Sequence, residues 1–183
     1  LQAKVLGQTD AFQNFSQLPL SLLMRGGVGV VTGMYLDELR ANFLVEELFQ
    51  SGKLSLLYAD VDRAIVGSAV PLNEALIFKG SMQEMATEVF CERREVGVIN
   101  IGGTGQVKVD NNTYTLDRGD ALYIGKGSED IAFSSDSVEG PAEYYILSFP
   151  AHAGFPTKLI KFADAEVEEL GQPESANVRR INK

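Results

Sequence analysis

The chain has 183 residues, of which 45% are hydrophobic, and this fits one globular domain with a short appendage. Its formal net charge of −9, with no basic tract, argues against nucleic acids and anionic membrane surfaces as partners. The single cysteine excludes an internal disulfide, which agrees with a cytoplasmic location. Residues 18–34 are apolar but interrupted by Arg25 and four glycines, so they predict neither a bilayer-spanning helix nor a secretory signal.

The N-terminal part divides into a segment without a clear role, residues 1–34, and the start of a domain over residues 35–162. The glycine-rich run at 25–33 lacks the Gly-Lys-Ser/Thr of a phosphate loop, so a hairpin or irregular packing segment is expected. Residues 35–50 begin with apolar residues at helical spacing, which predicts a helix, whereas residues 43–49 could instead be extended. Strands are then predicted over 53–59, around 64–67 and within 73–80, with a helical turn or loop over 82–88.

The central stretch, residues 95–134, alternates apolar and polar positions at the spacing of strands. Turns separate the strands, at the glycine-rich 102–105, at 110–112, at 118–120 and at 125–127. The glycines of 102–105 are expected to be there because they permit a positive φ. Short strands joined by tight turns predict an all-β fold with minor helix, an antiparallel barrel or jelly roll. The apolar pairs are Val96 and Val98, Val107 and Val109, and Leu122 and Ile124.

The order of these strands and turns resembles a cupin barrel. Glu95 stands seven residues before Gly102, where the glutamate of the first cupin motif would be. The second motif is matched by Gly119, Gly125 and Gly127, with Gly125 in place of its proline. The resemblance implies a cupin-like antiparallel barrel.

The histidines that hold the metal in cupins are missing from this chain. Their positions fall near Val89 and Cys91 in the first motif and on Asp130 in the second. One thiol and two carboxylates, Glu95 and Asp130, are a poor substitute for a set of three or four ligands. The only histidine, His152, lies well downstream. No metal or other cofactor is therefore expected in this barrel.

Four charged residues, at positions 92–95, open the strand that is predicted over residues 89–100. On a strand, Cys91, Arg93 and Glu95 point one way, and positions 92 and 94 point the other way. The main interpretation is a solvated or subunit-facing group of ion pairs. In the alternative, Glu95 points into the barrel together with Arg93, whose guanidinium would be suited to receive a carboxylate.

The last part of the chain contains a closing strand over residues 143–150 and then an irregular segment with His152. Residues 163–183 are acidic and end in a basic run. They are predicted to be a linker or arm towards a second cupin domain that is absent from this sequence.

Several longer phrases of the sequence are distinctive, namely residues 38–46, 62–63, 92–103, 120–126, 150–152, 156–158 and 179–183. They resemble the N-terminal cupin half of the 5-keto-4-deoxyuronate isomerase family, also called 4-deoxy-L-threo-5-hexosulose-uronate ketol-isomerases. The resemblance implies a homo-oligomer, usually a hexamer, that interconverts an aldose and a ketose in pectin and uronate catabolism. It places zinc in the second cupin, in a His-x-His-x4-Glu segment that this sequence lacks, so no metal ligand is carried over.

Two functional hypotheses follow. In the first, the chain is a structural or oligomerising half of such an isomerase and is inactive by itself. In the second, it is a free-standing, metal-free cupin that binds a small sugar acid. The candidate ligand-binding residues are Arg93, Glu95, Tyr123, Lys126 and His152, and no catalytic residue is assigned.

Overall fold

The computed structural model describes residues 3–5, 40, 44–59 and 63–183, so the predictions for 1–34 and 35–43 lie almost wholly outside the described residues. The helical elements that lie wholly within the described residues are one short helix, α1 (Met82–Met85), and three 3-10 turns, Phe90–Glu92, Phe162–Asp164 and Pro173–Ser175. Among the described residues, no helix is long and apolar enough to cross a membrane. The strands are β1 (Ala3–Val5), β2 (Leu54–Ala59), β3 (Ala64–Ala69), β4 (Leu76–Phe78), β5 (Arg94–Asn100), β6 (Gly105–Val109), β7 (Asn112–Leu116), β8 (Ala121–Ile124), β9 (Ile131–Ser135), β10 (Tyr144–Pro150), β11 (Lys158–Ile160), β12 (Val167–Leu170) and β13 (Arg179–Asn182).

The strands form two facing sheets and one small ribbon. The larger sheet has seven strands in the order β1-β2-β3-β10-β5-β8-β11, and the smaller has four in the order β4-β9-β6-β7. All pairings are antiparallel. From β3 to β10 the chain passes back and forth between the two sheets, which is the eight-stranded jelly roll of cupins. The predicted all-β, cupin-like fold is confirmed.

The core lies between the two sheets and consists of alternate residues of each strand. Four aromatic rings join the sheets: centroids of Phe78 and Phe90 are 4.0 Å apart, Phe78 and Phe133 5.7 Å, and Phe133 and Tyr144 5.2 Å. Burial of each such ring contributes roughly 1.5–3 kcal/mol. The six apolar residues expected to be inward are all buried, namely Val96, Val98, Val107, Val109, Leu122 and Ile124.

The glycine-rich turn at 102–105 has a different physical basis from the one predicted. None of its glycines has a positive φ, whereas Gly119 and Gly127 do. Instead, a Cβ on Gly103 would lie 2.0 Å from the carbonyl oxygen of Gly140, and one on Gly105 would lie 2.3 Å from the Tyr144 hydroxyl. Close approach of neighbouring chain segments therefore excludes a side chain at each glycine of this turn.

Buried Asn100 holds the same turn in place. Its amide nitrogen donates to the carbonyl oxygens of Gly103 at 2.7 Å and Leu116 at 2.9 Å. Its amide oxygen accepts from the backbone N–H groups of Gly102 at 3.1 Å and Glu143 at 3.3 Å. Four satisfied hydrogen bonds explain how a fully buried amide is tolerated at the end of β5.

One strand boundary differs from its prediction. The strand expected from residue 89 begins only at Arg94, because the 3-10 turn Phe90–Glu92 precedes it and buries both Phe90 and Cys91. Residues 163–183, predicted to be a linker or arm, contain a paired ribbon in which β12 and β13 align from Val167 with Asn182 to Leu170 with Arg179.

A buried carboxylate attaches the chain after β11 to the barrel. Asp120 accepts hydrogen bonds from Lys161 Nζ at 2.6 Å and from the backbone N–H groups of Phe162 and Asp117, each at 2.9 Å. Burial alone would raise the pKa of Asp120, but these hydrogen bonds outweigh it, so the pKa lies below its usual value.

Replacing this carboxylate is expected to cost stability in a pH-dependent way. The folded pKa of Asp120 is depressed, so its contribution is present above the ordinary pKa of about 3.9 and is lost as the pH falls through the folded value. We expect Asp120→Asn to lower the free energy of unfolding at pH 7 by about 1.5–3 kcal/mol, with the difference shrinking in acid. Urea unfolding between pH 7 and 3 measures this.

The matched control is Asp117→Asn, because Asp117 also contacts Lys161, at 3.3 Å, but its side chain is exposed. An exposed ion pair contributes little, so its removal should change the stability much less. Equal losses for the two variants, or a loss for Asp120→Asn that does not depend on pH, would contradict the assignment.

Candidate functional site

One end of the barrel brings together three separate parts of the chain. The Gly127 N–H donates to the carbonyl oxygen of Cys91 at 2.8 Å, and the Ala151 N–H donates to that of Arg93 at 2.9 Å. The start of β5, the turn after β8 and the end of β10 therefore meet here. Helix α1, whose N-cap residue is Ser81, also borders this end.

A cavity of about 400 Å³ opens at this end, which is within the usual range for a small-molecule site. One part of its wall is apolar and the other carries charged groups. The lining residues are Tyr58, Arg63, Ile65, Glu84, Met85, Thr87, Phe90, Arg93, Arg94 and Pro150.

The innermost charged group of the cavity is Arg94, which has only 8% of its surface exposed. Alternation along β5 points it inward, on the same side as Val96 and Val98. Its Nε donates to Ser148 Oγ at 3.0 Å, and its Nη2 donates to the carbonyl oxygens of Ser148 at 2.9 Å and Arg63 at 2.6 Å. These bonds hold the guanidinium at a defined place in the wall.

Among the lining residues that the structure describes, three are arginines and one, Glu84, is a carboxylate, although Arg93 is paired with Glu92. Burial lowers the pKa of Arg94 below its usual value. The electrostatic interaction with Tyr58 raises this pKa, and the positive charge of Arg63 lowers it. Arginine remains protonated at neutral pH even so. The cavity thus combines a fixed cation with an apolar wall.

Arg93 lies at the rim of the same cavity and is not inward-facing. Its side chain is 70% exposed and pairs with Glu92 at 3.1 Å. Glu92 also accepts a hydrogen bond from Thr87. This local ion pair agrees with the main interpretation of the charged positions 92–95, and the inward arginine is Arg94.

Glu95 and Tyr123 are the pair of predicted site residues that the structure brings together. The Tyr123 hydroxyl donates to Glu95 Oε2 at 2.8 Å. Both lie on the face of the larger sheet that points away from the core. Glu95 and Gly97 are outward positions of β5, and Tyr123 is outward because it is the partner of Gly97 on β8. Burial raises the pKa of Tyr123 to about 12, and the Glu95 carboxylate adds to the effect.

Lys126 and His152 lie apart from that pair and do not line the cavity. Lys126 is in the turn after β8, and His152 is exposed in the segment after β10. In the part of the chain that the structure describes, neither side chain forms a hydrogen bond or ion pair.

The residues at the cupin ligand positions do not fit a zinc ion. Cys91 is buried towards the core, and burial raises its thiol pKa to about 12, which disfavours the thiolate that binds metal. Glu95 faces the opposite side of the larger sheet, and Asp130 is exposed after the turn at 125–127. Within the described ranges, no group of three or more histidine, cysteine, aspartate or glutamate side chains could hold a metal ion.

The reasoning from sequence missed the arginine that matters most in this cavity, although the signal was available. Val96 and Val98 are inward, so Arg94 and Asn100 share their side of β5. Arg94 is identified when the alternation is followed from Val96 and Val98 back to the start of the strand, and not from the candidate ligand Glu95. Arg63 and Glu84 reach the cavity only through the fold and have no comparable sequence signal.

These observations define a jelly-roll domain of the cupin class with a cavity at one end that contains a buried arginine. The sequence profile described as the KduI/IolB family matches residues 43–183. The chain belongs to this family, and the resemblance to its ketol-isomerases is confirmed.

Two relatives, both named 4-deoxy-L-threo-5-hexosulose-uronate ketol-isomerase, illustrate the match. The protein from Formosa agariphila is 45% identical over 147 residues, covering 80% of this chain and 52% of the relative. The protein from Lachnoclostridium phytofermentans is 44% identical over 147 residues, covering 80% and 53%. The chain therefore spans about half the length of the curated relatives it matches.

A solved structure extends the agreement in fold. An IolB-like protein from Salmonella typhimurium superimposes with a TM-score of 0.50 at 15% identity, over 65% of this chain and 43% of that protein. At this identity the likeness concerns the fold alone.

The buried thiol gives a direct test of the packing beside the cavity. Because burial raises the pKa of Cys91 to about 12, we expect the folded chain at pH 8 to resist alkylation by iodoacetamide. Unfolding in guanidinium chloride should expose the one thiol and allow complete labelling, measured by mass spectrometry. Rapid stoichiometric labelling of the folded chain would contradict this placement.

Proposed function

We propose that this chain is the N-terminal cupin half of a 4-deoxy-L-threo-5-hexosulose-uronate ketol-isomerase and serves structure and assembly. The observation that carries the proposal is its match, over 80% of its length, to about half of each ketol-isomerase. The residues at the cupin ligand positions add support, because they lie on different sides of the sheet and do not form a ligand set.

The proposed division of labour follows from the chemistry of ketol isomerisation. Moving a proton between adjacent carbons needs a base beside the substrate and a group that polarises its carbonyl. In this chain the single histidine is exposed and outside the cavity, and the buried thiol of Cys91 has a raised pKa. We therefore assign the reacting groups, and the zinc expected in the second cupin of the family, to the part of the ketol-isomerases that this chain does not match, and we expect this chain to be inactive by itself.

We further propose that the chain self-associates through the outward face of its larger sheet. That face presents apolar residues in adjacent strands, whereas the outward face of the smaller sheet is mainly polar, with Gln106, Lys108 and Thr113 exposed and Ile77 as its apolar exception. A solvated sheet face is normally polar, so an apolar one favours burial against another subunit. The apolar residues are Leu57, Val66, Ile99, Tyr145, Leu147 and Phe149.

A cytoplasmic location is part of the same proposal. The one cysteine excludes an internal disulfide, which agrees with a reducing compartment.

An isomerase assay separates this role from an active cupin. We expect the purified 183-residue chain to convert 4-deoxy-L-threo-5-hexosulose uronate no faster than buffer does, with or without added Zn²⁺. A full-length relative such as the Formosa agariphila ketol-isomerase is the positive control for substrate and metal. Turnover by the chain at the pace of that enzyme, or stoichiometric zinc in the purified chain, would overturn the assignment.

The assembly surface is tested by placing a charge on it. Ile99 is outward and 44% exposed on β5, so we expect Ile99→Lys to shift the chain towards the monomer in analytical ultracentrifugation. Thr113→Lys makes the matched change on the outward face of the smaller sheet and should leave the oligomeric state unchanged. A wild-type chain that is monomeric at all concentrations would refute self-association.

A further inference from the structure

The guanidinium of Arg94 lines the cavity and has hydrogen-bonding capacity that no described residue uses. Of its five N–H donors, one on Nε and two on Nη2 are engaged by Ser148 and by the carbonyl oxygen of Arg63. The two donors on Nη1 form no hydrogen bond with any described residue. No carboxylate in the described ranges forms an ion pair with Arg94.

A charge in this position calls for a counter-charge. Removing a cation from water is costly unless it is paired, and carbonyl and hydroxyl oxygens offset only part of the cost. Asp120, the other buried charged residue among those described, has such a partner, because it forms an ion pair with Lys161. Arg94 has no such partner among the described residues, but it lines a cavity in which a bound anion could supply the negative counter-charge.

The surroundings of Arg94 favour an anion as well. Among the described lining residues, Arg63 and Arg93 accompany Arg94, against one acidic residue, Glu84. Arg93 is paired with Glu92, but the described wall still carries more cationic than anionic side chains, in a chain whose net charge is −9.

The rest of the wall suits an organic body and not an inorganic ion. Ile65, Met85, Phe90 and Pro150 contribute apolar surface, and the hydroxyls of Tyr58 and Thr87 add polar points. A volume of about 400 Å³ is enough for a molecule the size of a monosaccharide. A free phosphate ion would leave this apolar surface without a partner.

We propose that this cavity binds a small organic acid of about monosaccharide size, whose carboxylate accepts hydrogen bonds from Nη1 of Arg94. Arg63 and Arg93 attract the anion at the rim, and the apolar wall packs against its carbon skeleton. The site is separate from the proposed isomerase chemistry, so it stands or fails independently of that assignment.

Binding is tested by isothermal titration calorimetry of the 183-residue chain in low-salt buffer with D-galacturonate, D-galactose and inorganic phosphate. Galacturonate and galactose share a ring and differ mainly in the carboxylate. We expect saturable binding of galacturonate, at least about tenfold weaker binding of galactose, and affinity that falls with added NaCl. No binding of galacturonate overturns the proposal, and phosphate binding as tight as that of galacturonate overturns the assignment to an organic acid.

Variants locate the site. Arg94→Lys keeps the charge but loses the planar fork, and we expect galacturonate affinity to fall about 10- to 100-fold. Met85→Trp fills the cavity from helix α1 and should abolish binding while Arg94 and its hydrogen bonds remain, so it tests the site even if Arg94→Lys fails to fold. Arg118→Gln, which removes an exposed arginine outside the cavity, is the matched charge control and should bind as the wild type does. Unchanged affinity in Met85→Trp would place the ligand elsewhere and refute the site.

Discussion

The strict alternation of residues along β5 is the constraint on which the rest of this molecule depends. The even-numbered positions point inward, so one strand contributes Arg94 to the cavity, Val96 and Val98 to the core and Asn100 to the opposite turn. β5 lies between β10 and β8 in the larger sheet, and a shift of its register by one residue would exchange these positions with Glu95, Gly97 and Ile99. Such a shift would bury a carboxylate and expose the core, so the register is strongly determined.

The barrel accommodates its buried polar groups in two ways. Asn100 and Asp120 are enclosed and fully satisfied, and both organise chain segments: Asn100 the turn after β5, and Asp120 the backbone that follows β11. Arg94 is only partly satisfied by described residues and borders a cavity. Since buried polar groups in folded proteins are normally paired, the incompletely paired one is where a ligand is most reasonably sought.

The two sheets also differ on their outer faces, and this difference bears on assembly. The smaller sheet presents mainly polar side chains to solvent, with Ile77 as an apolar exception, as expected for an antiparallel sheet with one buried face. The outward face of the larger sheet carries more apolar residues, among them Ile99 and Phe149, beside polar ones that include the hydrogen-bonded pair Glu95 and Tyr123. Glu95 stands at the position of the cupin glutamate, but its side chain lies on this outward face.

The amino-acid sequence by itself determined most strands between β2 and β10, the hairpin at 110–112 and the corners at Gly119 and Gly127, because alternation and turn chemistry are local properties. It did not predict the short strands β11, β12 and β13. It also determined that the cupin positions lack histidine, and its longer phrases were sufficient for the family. Only the tertiary structure decided that β5 begins at Arg94, because the preceding 3-10 turn forms by packing Phe90 against Phe78 of another strand. It alone decided the cavity, whose wall joins residues from 58 to 150 that no local pattern connects.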